Sequence, residues 1–183
     1  MFFLFIIASL LVSLVLQHFL GAVPPWGARV LLMPIVFFYG ALSFSTTGML
    51  VLAFVSGVSW DLLHGVWVEE SLELGVGWSV CAYAVLGAVV SGLRPLFLRG
   101  RWEVHCLFSS VAVAALVLVE YGLLCLRREP LVFEFSSLIW GRVLGAGLVA
   151  LAVSPIVFAV LGYVARLMRH RHYRGTGGAL DDE

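Results

Sequence analysis

Lysine is absent: every one of the 11 basic residues is arginine, an oddity on which nothing functional is built. Charge of either sign is scarce. Charged residues make up 12% of the 183, about half the share of an ordinary soluble domain. The formal net charge is zero, so there is no basic face for nucleic acid. Cysteine is limited to Cys81, Cys106 and Cys125, odd in number and far apart, which suggests neither a disulfide framework nor a metal site. What fills the chain instead is apolar: 62% hydrophobic residues, with a mean hydropathy of +1.06. A soluble chain of this size could not hide that much apolar surface around one core. Long uncharged runs identify an integral membrane protein whose exterior faces lipid.

The runs are continuously apolar, not alternating, so helices are expected and a β-barrel is not. One crossing takes about 20 helical residues. Six spans are expected, over residues 2–20, 28–44, 48–66, 75–97, 104–126 and 137–165. The second is short and contains Pro34; Gly21 to Pro25 close the first. The expected fold class is all-α: one polytopic transmembrane bundle over residues 1–167, then a flexible cytoplasmic tail, 168–183. No soluble domain and no internal repeat is legible. A cleaved signal peptide is the alternative for the first span, but it lacks a basic leader before Phe2-Phe3.

Arginine placement gives an orientation. With both termini cytoplasmic, Arg94, Arg99, Arg101, Arg166, Arg169, Arg171 and Arg174 lie inside. Arg29, Arg127, Arg128 and Arg142 lie outside or just within the outer end of a span, and the acidic stretch with Glu69, Glu70 and Glu73 falls outside. The tail arginines also attract anionic membrane lipids.

Ionisable side chains inside spans cost about 2.5–3.5 kcal/mol each near the bilayer centre, so they mark places of interest. Asp61, Glu120 and Arg142 all fall about 7–9 Å from the outer ends of their spans. Gln17, His18 and His64 lie in that layer or just above it. The expectation is an intramembrane polar cluster of Asp61, Glu120, Arg142 and His64 in which Arg142 pairs with Glu120 or Asp61. Small residues accompany it. Gly57, Asp61 and Gly65 are four apart and share a helix face, which allows a neighbouring backbone to come near. Gly141 and Gly145 form a GxxxG frame in the sixth span.

Enzyme signatures are missing. There is no GxSxG, no HExxH, no P-loop and no dinucleotide fingerprint. Glu69-Glu70 reads as part of a solvated acidic loop, Val66–Leu74, not as a catalytic pair. No cofactor or metal is implied, and nothing supplies a nucleophile, base and metal together for lipid chemistry.

The segment Phe54–Gly87 (FVSGVSWDLLHG, the acidic stretch, then GVGWSVCAYAVLG) resembles the MreD family of the bacterial rod-shape system. That family carries a G-[LV]-x-x-D helix ending in glycine, a short outer turn, and a helix opening with glycine. The matching residues are Gly57, Val58, Asp61, Gly65, Gly75 or Gly77, Tyr83 and Gly87. The stretch between Gly65 and Gly75 is longer here than the family's turn. The resemblance implies a fold similar to the substrate-binding components of energy-coupling-factor transporters, and a non-enzymatic scaffold of peptidoglycan synthesis during cell elongation. It implies a location in the bacterial inner membrane. It also implies an MreC-like single-span partner and, through it, an MreB-like filament and a RodA-type glycosyltransferase with its transpeptidase. The competing expectation is a substrate-binding membrane subunit of an energy-coupling-factor vitamin transporter, with Asp61, Glu120, Arg142 and nearby tryptophans lining an outward-open pocket.

Overall fold

The computed structural model describes residues 2–21, 27–63, 66–68, 71–73, 77–93, 102–126 and 136–176. Its helices are α1 (Phe2–Phe19), α2 (Leu32–Ser43), α3 (Thr46–Leu63), α4 (Trp78–Gly92), α5 (Trp102–Leu126) and α6 (Ser137–Thr176). By length and composition α1, α3, α5 and α6 can each cross a membrane, whereas α2 and α4 are apolar but shorter. The chain is a multi-pass membrane protein built as a helical bundle.

Each long helix buries one stripe and leaves the rest to lipid. In α1 the stripe is Ile6, Leu10, Leu14 and Gln17, and in α3 it is Met49, Leu52, Ala53, Ser56, Gly57 and Asp61. These follow helical spacing, while Leu4, Val12, Phe19, Phe54 and Leu62 are exposed. α2 differs. Nine of its 12 residues are buried, as expected of a helix enclosed on all sides. It forms the centre of the bundle: Phe37 and Phe38 pack with α1, α3 and α4, while Ile35 meets Val113 of α5 and Ala146 and Ala150 of α6.

Both short helices begin later than the apolar pattern suggests. α2 was expected from residue 28 but begins at Leu32, because Val30 and Leu31 precede it in non-helical backbone; Leu31 is extended (φ −101°, ψ 97°). α4 was expected from 75 but begins at Trp78, preceded by Gly77 in the left-handed region (φ +112°). It ends at Gly92, with Leu93 as its C-cap; the expected span's last residues, 94–97, lie outside the described residues. At 12 residues, α2 is about 18 Å long, well short of the ~30 Å hydrocarbon layer. Non-helical backbone is tolerated at such depth only where protein surrounds it, and Ala28 and Leu31 are buried.

Two further expectations change. The stretch read as an acidic loop contains an antiparallel hairpin, β1 (Val66–Val68) with β2 (Ser71–Glu73), in the register Val66↔Glu73 and Val68↔Ser71. Among the described residues the bundle is therefore helical apart from this small ribbon. The tail expected from 168 continues α6 to Thr176. No glycine or proline interrupts residues 163–174, and arginine is a good helix former, so nothing stops the helix earlier.

α6 does contain Pro155, which removes the N–H that would bond the carbonyl of Leu151. The buried Ser154 hydroxyl donates to that carbonyl instead, at 3.4 Å. Ser56 is the opposite case: fully buried, its Oγ has no hydrogen-bond partner. Ser56→Ala is therefore expected to raise the thermal unfolding midpoint in detergent, by the equivalent of about 1 kcal/mol.

Candidate functional site

The residues that carry the sequence motif converge on the contact between α3 and α4. Asp61 lies two residues before the end of α3 and is 9% exposed. Its Oδ2 accepts a hydrogen bond from the Gly77 N–H at 2.8 Å. Gly77 is the N-cap of α4, where the amide is otherwise unpaired and the helix dipole favours negative charge. A bond from an amide to a carboxylate is roughly twice as strong as a neutral one. Glycine is needed at 77 because φ is +112°.

One turn below Asp61, Gly57 receives the first turn of α4 directly. A Cβ there would collide with the backbone N and Cα of Val80. Further along, a Cβ on Gly87 would meet Met49 Sδ at 2.5 Å and Phe37 Cζ at 3.0 Å. Between these notches Tyr83 is buried, edge-on to Phe37 at 5.0 Å, its hydroxyl 4.0 Å from Met33 Sδ. Gly57, Asp61, Gly77, Tyr83 and Gly87 thus act as one packing unit joining α2, α3 and α4. His64, Gly65 and Gly75 lie outside the described residues.

A matching device holds α2. Gln17 lies two residues before the end of α1, and its Oε1 accepts from the N–H groups of Leu32 and Met33 at 3.1 and 3.2 Å. The next residue, Pro34, has no N–H to satisfy. No local side chain caps either short helix. An 18-residue helix therefore caps the following short helix twice over, a structural repetition with no counterpart in the residue pattern.

Glu120 and Arg142 line one cavity of about 500 Å³ at this end of the bundle. Arg29, Trp60, Tyr121 and Val143 share its wall. Trp60, the neighbour of Asp61, also borders a second cavity of about 290 Å³ with Gln17, His18 and Arg29. The expected Arg142 pairing is corrected here. Among the described residues Arg142 forms no ion pair, because Asp61 faces the Gly77 amide, and the arginine side chain is exposed. At the opposite end a separate apolar cavity of about 380 Å³ lies beside Tyr39, His105, Pro155 and Phe158.

The two glycines of the GxxxG frame of α6 differ. A Cβ on Gly141 would meet open space, while Gly145 is buried. A close approach to α5 occurs at Gly147, where a Cβ would lie 3.3 Å from the Ser110 carbonyl oxygen. The Ser110 hydroxyl donates to the Gly147 carbonyl at 2.7 Å and joins the two helices. Sequence reasoning missed the roles of Gln17, Arg29 and Gly147, left Gly75 or Gly77 open as the glycine that begins α4, and did not single out Trp60 among the tryptophans. The signal for Gly77 was present: it stands 16 residues after an acid, at the opening of an apolar helix.

Among the described residues no three or more His, Cys, Asp or Glu side chains are grouped to hold a metal ion. Compared with known proteins, the chain matches no family model, no curated protein and no solved structure.

Proposed function

We propose that the protein is a non-enzymatic scaffold subunit of the bacterial cell-elongation complex, seated in the cytoplasmic membrane with both termini inside. On this reading it binds an MreC-like single-span protein by helix packing, and through it the MreB-like filament and the RodA-type synthase. One observation supports it above others. The described residues that carry the resemblance to MreD are spent on fixing α3 against α4 and α2, and they leave no reactive group presented to a substrate. A motif spent on helix placement fits a protein that works by its shape.

Asp61 would act here as a positioning residue. Asp61→Leu removes the acceptor of a partly buried amide, at a cost of about 1–3 kcal/mol, and lets the first turn of α4 shift. Asp61→Asn keeps an acceptor oxygen. Recovery of a co-expressed MreC-like protein from the same organism is expected to fall severalfold with Asp61→Leu and to stay near wild type with Asp61→Asn. Undiminished recovery with Asp61→Leu at equal expression refutes the proposal.

The second reading, a substrate-binding subunit of an energy-coupling-factor vitamin transporter, is favoured by the cavity beside Glu120, Arg142 and Trp60. Its volume of about 500 Å³ falls within the range of small-molecule sites. A vitamin retained through purification and identified by mass spectrometry in the extracted protein would support that reading over the scaffold.

A further inference from the structure

We propose that Arg29 and Arg142 together hold the phosphate of a membrane lipid in the cavity bounded by the segment before α2, by α5 and by α6. The two arginines come from chain segments far apart in sequence and line the same cavity. Among the described residues neither is hydrogen-bonded or ion-paired. Glu120 supplies one negative charge to the same wall, so the described lining residues carry a net positive charge. An anion held against both arginines offsets their positive charge. Guanidinium groups suit phosphate especially well because they present paired N–H donors matched to its oxygens.

The rest of the lining indicates the source of that phosphate. Leu31, Val117, Val143 and Ala146 form an apolar wall beside the arginines. An inorganic ion would leave this surface uncovered, whereas a lipid places its headgroup at the arginines and its first chain carbons along the wall. The inference does not depend on the scaffold reading, since neither arginine takes part in the Gly57–Val80 contact or the Asp61–Gly77 bond that fix α3 against α4.

The test uses the full chain in detergent and native mass spectrometry, with dioleoyl phosphatidylglycerol, dioleoylglycerol and inorganic phosphate as separate probes. Wild type is expected to retain one phosphatidylglycerol, to retain no dioleoylglycerol, and to show no thermal shift with phosphate. Arg29→Gln/Arg142→Gln is expected to retain about tenfold less phosphatidylglycerol. Both side chains are exposed, so the double variant should keep the fold, and its unfolding midpoint checks this. If it does not fold, each single variant is read alone and is expected to show a partial loss. Equal phosphatidylglycerol retention by the variants overturns the proposal, as does equal retention of dioleoylglycerol. Protection by inorganic phosphate as strong as by the lipid reassigns the site to a free anion. A vitamin held in the cavity in place of lipid also overturns it. Loss of lipid retention with unchanged recovery of the MreC-like partner upholds it independently of the scaffold reading.

Discussion

Gly57→Leu is expected to lower the unfolding midpoint more than any other single substitution along α3. The atoms facing Gly57 are the backbone N and Cα of Val80, not the end of a flexible side chain, so relief requires all of α4 to move. Overpacking of this kind costs about 1–3 kcal/mol when side chains can adjust, and more when they cannot. Moving α4 also breaks the Asp61–Gly77 bond, which adds an unsatisfied amide. Even Gly57→Ala should be destabilising, since the collision begins at Cβ. Gly141→Leu provides the contrast: nothing lies within 4 Å of its Cβ position, so the change should stay within about 0.5 kcal/mol of neutral. A thiol-reactive dye in a thermal ramp reads both in a Cys81→Ser background, because Cys81 is exposed whereas Cys106 and Cys125 are free and buried and become reactive only on unfolding. Equal midpoints for Gly57→Leu and Gly141→Leu would refute the placement of α4.

Gln17→Leu is the second large effect. One side-chain oxygen satisfies two amides of α2, so removing it orphans both. At about 1–3 kcal/mol for each buried unsatisfied group, the loss is roughly 2–6 kcal/mol. Gln17→Glu keeps an acceptor and should recover much of that loss. Amide hydrogen exchange over the start of α2 is the specific readout. Leu32 and Met33 should exchange far faster in Gln17→Leu, while amides near the middle of α3 keep their protection. Unchanged exchange at Leu32 would show that the amides have another acceptor.

The membrane class was legible because it depends only on uninterrupted apolar length. α1, α3 and α5 accordingly begin and end within three residues of their expected bounds. The short helices were overextended because apolarity reports exclusion from water and not helicity. Ala28 and Leu31 are as buried as the helix they precede, yet they are not part of it. The hairpin was missed because the two residues linking Val68 to Ser71 are glutamates, without the glycine or asparagine that normally announces a tight turn. Asp61 was legible as an acid among glycines. Its partner was not, since charge counting favours an arginine whereas the structure supplies a backbone amide. Gly141 and Gly147 show the same limit: spacing tells which residues share a face, but not which face meets a neighbour.

The borrowed caps of α2 and α4 have a consequence for biogenesis. A segment of 12 helical residues is too short to partition into a bilayer unaided, and its leading amides would enter hydrocarbon bare. It can be delivered only with the preceding helix already alongside. The translocation machinery must therefore release α1 with α2, and α3 with α4, as preassembled pairs, so that the smallest unit of insertion is a hairpin and not a single span.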